Sequence, residues 1–174
     1  MKKAQFYIIS AVILLTISLV IFALSSKSYP AKKKVDDFSN LHENYAREVS
    51  EVINNMIKEK NDNLLSELNV SNLEDYTGKF LDYARSRQTS FGLVYVFTYH
   101  NSSTVSNHLN EDVIFESESN HTVQSGSTLN LISTEKYNLY FNDAKYSFSK
   151  DGDTDFDAVY ASADGQEVRV FVQQ

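Results

Sequence analysis

Ser90 to His100 reads SFGLVYVFTYH, and the fold class turns on it. Phe91, Leu93, Tyr95, Phe97 and Tyr99 fall on one parity, and Val94 and Val96 on the other. Strict alternation with aromatic and β-branched residues is the pattern of a strand. Apolar side chains on both parities place that strand in the middle of a sheet covered on both faces. On its C-terminal side shorter candidates of the same kind follow at 104–108, 112–118, 122–124, 129–134, 137–141, 145–149, 156–162 and 167–172. Ser125-Gly126-Ser127, Asp151-Gly152 and Asp164-Gly165 are turn signals between some of them. Strands at this spacing predict an antiparallel sheet or sandwich.

On the N-terminal side the period is helical. Val35, Phe38, Leu41, Tyr45, Val49, Val52, Ile53, Met56 and Ile57 recur in steps of three and four with acids between them. This predicts an amphipathic helix of about 24 residues, roughly 36 Å long. Asp36 or Asp37 is its candidate cap, and Leu64, Leu65 and Leu68 extend the stripe. Ser71-Asn-Leu-Glu74 has the form of a capping box. Leu73, Tyr76, Phe80, Leu81 and Ala84 then mark a second helix to about Arg87, which should pack antiparallel to the first.

Further upstream, Phe6 to Leu24 is nineteen residues long and holds no charge. At 1.5 Å per residue it nearly matches the roughly 30 Å hydrocarbon core of a bilayer. The expected organisation is a basic leader (1–4), a transmembrane helix (5–26), a juxtamembrane linker (27–34), a helical region (35–88) and an antiparallel β domain (89–174). The fold class is α+β: one N-terminal transmembrane helix, a helical pair, then a β-sheet or sandwich head. Pro30 ends or kinks the membrane helix.

The 174 residues carry a net charge of −7, divided unevenly. Residues 1–34 hold six lysines and no acid, whereas the remainder carries 23 acids and a net −13. Lysines flank the apolar run on both sides, as headgroup anchors do, so charge alone leaves its orientation open. An acidic head argues against nucleic-acid binding. With no cysteine in the chain there is no disulfide, thiolate metal site or cysteine nucleophile.

Lys2-Lys3-Ala4-Gln5 abutting the apolar run resembles the class III signal peptide of archaeal type IV pilin-like proteins. The resemblance covers residues 2 to 24. It implies cleavage by a prepilin-type peptidase between Ala4 and Gln5, and retention of the helix in the membrane. It also implies an extracellular C-terminal domain and packing against other pilin-like subunits of a type IV pilus. Many members carry glutamate at the fifth mature position, where this chain has Ile9. The expected role is therefore that of a minor or non-major cell-surface subunit, structural or adhesive. A Sec signal peptide cut near Ala23-Leu24-Ser25 is the plainer reading, although the run exceeds the usual 7–15 residues of such a core. The functional alternative is a single-pass anchored extracellular binding or sensor module whose β domain takes a ligand or Ca²⁺.

Candidate chemistry is sparse. Asp151, Asp153, Asp155 and Asp157 alternate like the first half of a calcium loop. Phe156 stands where such a loop needs glycine, and Ser162 where it needs glutamate. These aspartates are candidate Ca²⁺ ligands, Asp143 and Asp164 are candidate helpers, and an acidic turn is the plain reading. No other cofactor is expected. His42, His100, His108 and His121 lack ligand spacing, although the last three could converge in a sheet. With no nucleophile elbow, phosphate loop or dinucleotide glycine pattern, an enzyme is not expected. Asn69, Asn101 and Asn120 begin N-glycosylation sequons at predicted turns. Composition alone supplies about three such triplets, so their number argues nothing.

Overall fold

A computed structural model describes residues 37–62, 68–164 and 167–173. The leader residues Lys2, Lys3, Ala4 and Gln5, the expected transmembrane helix and the linker lie outside the described residues. Among the described residues no helix is long and apolar enough to cross a membrane.

Helix α1 spans Asp37–Asp62 and α2 spans Ser71–Arg87. Among the described residues nine strands follow: β1 (Gly92–Tyr99), β2 (Ser102–Asn107), β3 (Val113–Glu116), β4 (Asn120–Val123), β5 (Ser127–Ile132), β6 (Lys136–Phe141), β7 (Ala144–Ser149), β8 (Thr154–Asp164) and β9 (Glu167–Gln173). All pairings are antiparallel, in one sheet ordered β5-β2-β1-β8-β9 and another ordered β4-β3-β6-β7. The α+β class with a helical pair before an antiparallel sandwich is therefore observed.

The two parities of β1 explain the layering. Leu93, Tyr95 and Phe97 join Ala158 and Tyr160 of β8 beneath the helices. Val94 and Val96 join Val159, Ala161 and Val105 against Val113, Phe115, Leu139 and Phe148 of the second sheet. The five-stranded sheet is thus the middle layer, and β1 its central strand. Residues 37–174 form one unit because its two cores share that sheet.

Tyr45 sits at the centre of the helix-side core, fully buried on α1. Its ring meets Phe80 edge-on at 5.0 Å and Tyr160 at 5.8 Å. Such pairs contribute about 0.5–1.5 kcal/mol beyond area burial. Across the helix pair the Tyr45 hydroxyl donates to Thr77 Oγ1 at 2.8 Å, and Thr77 donates to the Leu73 carbonyl at 2.8 Å. Tyr45→Phe keeps the ring and leaves Thr77 its own acceptor. It should cost about 1 kcal/mol in a denaturant titration, far less than loss of the ring would.

One local expectation needs correction. The capping box does not form: Val70 is the N-cap, in helical geometry and without a side-chain cap bond. The Ser71 hydroxyl instead donates to Asn69 Oδ1 at 2.5 Å. Glu74 turns toward the sheet. The β6–β7 turn uses no glycine: Asn142 (φ 50°) and Asp143 (φ 57°) both take left-handed conformations. Short polar side chains tolerate that region best after glycine.

Gly92 opens β1 for a steric reason. A Cβ there would lie 2.9 Å from the His108 carbonyl oxygen and 3.2 Å from Leu109 Cα, both backbone atoms. Nearby, buried Asn107 ties the crossover between the sheets. Its Nδ2 donates to the carbonyls of Glu111 and Val123, each at 2.9 Å, and its Oδ1 accepts the Leu109 amide at 3.0 Å.

Candidate functional site

A polar cluster lies where α2 crosses the β2–β5 side of the large sheet. Leu73 is driven into the core by the apolar stripe, so Glu74, one residue on, emerges beside it over the sheet. Its Oε1 accepts the Tyr95 hydroxyl at 2.6 Å and the Thr128 hydroxyl at 3.0 Å. Its Oε2 lies 3.3 Å from His108 Nε2. Ser106 Oγ is 3.0 Å from the same His108 nitrogen and 3.0 Å from Thr128 Oγ1. Proton counting orders the network. Thr128 donates to Glu74, so Ser106 donates to Thr128, and Nε2 of His108 carries the proton shared with Glu74 and Ser106.

Burial by itself would raise the Glu74 carboxyl. The bonds from His108 and Tyr95 outweigh it and hold the group down at about 2. Conversely, burial and the adjoining carboxylate push the Tyr95 phenol up.

Serine, histidine and glutamate in contact invite comparison with a hydrolytic triad, and the geometry answers it. In a triad the acid and the serine engage opposite ring nitrogens, so that a proton passes across the imidazole. Here both meet Nε2, and Ser106 is fully buried. The cluster clamps α2 to three strands and presents no reachable nucleophile. Its partners are scattered from residue 74 to 128, and no local spacing announces them.

A second carboxylate lies between the sheets. Asp157 is 2% exposed on β8 and accepts the hydroxyl of Tyr137 on β6. Burial, first, and the Asp155 charge, in smaller part, lift the Asp157 carboxyl to about 6 against the bond from Tyr137.

This placement takes apart the alternating aspartates. Asp157 points into the sandwich, while Asp151 and Asp153 lie exposed in the β7–β8 turn. Asp155 accepts the backbone amides of Asp151 (3.1 Å) and Phe156 (3.0 Å). Among the described residues no group of three His, Cys, Asp or Glu side chains is placed to hold a metal ion. The histidines likewise stay apart, each among its own neighbours. His100 lies 4.0 Å from Asp153, His108 is in the Glu74 cluster, and His121 accepts from or donates to Ser119 at 2.7 Å. His42 stacks on Phe171 at 3.8 Å and so fastens edge strand β9 to α1.

The connections divide between two poles. Phe38 in the first turn of α1 packs on Phe91, just before β1, so α1 begins at that pole. The α2–β1, β2–β3, β4–β5 and β6–β7 connections share it, as the register of the strands requires. The opposite pole carries the β1–β2, β3–β4, β5–β6 and β7–β8 turns. The β1–β2, β5–β6 and β7–β8 turns are tied together by Ser133 N–H to the Asn101 carbonyl (2.9 Å), Lys150 N–H to the Glu135 carbonyl (2.9 Å) and Lys150 Nζ to the His100 carbonyl (2.6 Å). Residues 68–70, ahead of α2, stand at the same pole, where Leu68 and Val70 line a hollow with Phe97, Tyr99 and Ser102. The sequon asparagines Asn69, Asn101 and Asn120 all stand there, exposed. No family model, curated protein or solved structure matches the chain.

Proposed function

We propose that this is a membrane-anchored, pilin-like cell-surface protein, a minor or non-major subunit with a structural or adhesive role. The reading is carried by Lys2-Lys3-Ala4-Gln5 set directly against the uncharged run Phe6–Leu24. The folded unit is compatible with it. Helix α1 begins at one pole, and four turns with residues 68–70 gather at the other. The membrane, a prepilin-type peptidase and other pilin-like subunits are the partners in this reading. Ile9 in place of an acid argues for a subunit outside the main polymer.

Mass spectrometry of the mature N-terminus in its own cells is the test. A chain beginning at Gln5 is expected. One beginning near Ser26 would make this a secreted domain, and one retaining Met1 a simple anchor; either would overturn the pilin-like reading.

A further inference from the structure

Three sequons separated by up to 51 residues of chain come together at one pole. We infer that this pole is a glycan-bearing tip, with Asn69 and Asn120 as the acceptors in the folded unit and Asn101 excluded. The inference rests on the reading above that this part of the chain lies outside the membrane.

The chemistry sets two requirements. The asparagine Nδ2 must reach the anomeric carbon of a polyprenyl-phosphate-linked oligosaccharide. The hydroxyl two residues on must also be open to the transferase that recognises the triplet. In the transfer a C–N bond forms from Nδ2 to the anomeric carbon and the C–O bond to phosphate breaks. The lipid phosphate leaves with that electron pair, and the amide gives up one proton.

Asn120 meets both requirements. It is exposed at the start of β4, an edge strand, and Thr122 is exposed too. Asn69 also meets them in the α1–α2 connection, with Ser71 exposed. Its Oδ1 accepts both the amide (3.2 Å) and the hydroxyl (2.5 Å) of Ser71. The hydroxyl is thereby held against the carboxamide, while the reacting atom is Nδ2. Asn101 fails the second requirement. Ser103 is 3% exposed and its hydroxyl is bonded to Thr98 Oγ1 at 2.8 Å between the sheets. Asn101 also occupies a two-residue turn after His100 at φ 52°, with its carbonyl bonded to the Ser133 amide. Opening that turn to a transferase would pull Ser103 out of the core.

Full-length chain purified from its own cells is digested and the three peptides are analysed by mass spectrometry. Alongside it run N69Q, N101Q and N120Q, and also S71A and T122A, which leave the asparagines in place. Expected is sugar on Asn69 and Asn120 and none on Asn101. N69Q, S71A, N120Q and T122A should each lose one glycan mass, and N101Q none. Sugar on Asn101, or its absence from either Asn69 or Asn120, overturns the inference. The N-terminus is read from the same samples. A chain starting at Gln5 without sugar removes this inference and leaves the pilin-like reading. A chain retaining Met1 with sugar at Asn69 and Asn120 does the reverse.

Discussion

Asp157→Asn should raise the melting temperature markedly at pH 8 and hardly at all at pH 4. The carboxyl is 2% exposed between the sheets, and its hydrogen-bond partner is a neutral phenol, Tyr137. Removing an ionised carboxylate from water for so little return is costly. The native state answers by holding the proton up to about pH 6, where the unfolded chain releases it near 3.8. Between those values the folded protein binds more protons than the unfolded one, so stability falls as pH rises. The stabilising contribution is complete below 3.8 and is lost through 6. Asparagine keeps an acceptor for Tyr137 and carries no charge at any pH. The gain at pH 8 should be about 2–3 kcal/mol, or roughly 6–10 °C in Tm for a unit of this size. Melting curves of both proteins at the two pH values check this. An equal gap at pH 4 and pH 8 would show that packing, rather than ionisation, separates them.

Glu74→Gln should do the opposite, lowering stability by about 2–3 kcal/mol at pH 7. Glu74 is a carboxylate whose charge is answered. Tyr95, Thr128 and His108 all turn protons toward it, and its side chain is 29% exposed. Its folded value, about 2, lies below the ordinary 4.5, so its stabilisation is present above 4.5 and lost as pH falls through 2. Glutamine can still accept from Tyr95 and Thr128 but gives His108 no anion. Denaturant titrations at pH 7 and pH 3 should therefore show the penalty roughly halved at the lower pH. A penalty that does not change between them would mean that shape alone is lost. The two variants thus give stability slopes of opposite sign within one fold.

Most of the secondary structure is legible along the chain, because each element faces a core on one side or two. The stripe Phe38, Leu41, Tyr45, Val49 could only be a helix laid on something apolar, and β1, apolar on both parities, could only be central. All nine strands fall where period-two runs lie between turn residues. What failed was local chemistry with two competent outcomes. Ser71 and Glu74 fit a capping box, but Glu74 finds three donors, from β1, from β5 and from His108 just after β2, more than one backbone amide offers. The β6–β7 turn was legible only by the runs on either side of it, since Asn142 and Asp143 make it without a glycine.

The candidate chemistry was less legible for the same reason. Alternation places Asp155 and Asp157 on one face, and it cannot say that this face closes onto Tyr137, 20 residues away in sequence. Three sequons are visible as triplets, but their exposure and common pole are not. Sequence by itself determined the elements, their order and the two-faced strand between the layers, because periodicity records which side of each segment must leave water. Only the tertiary structure decided which acids are buried, which are paired and which hydroxyls remain open. Those depend on partners supplied by distant segments, and a carboxylate is stabilised or penalised by whatever the fold sets against it.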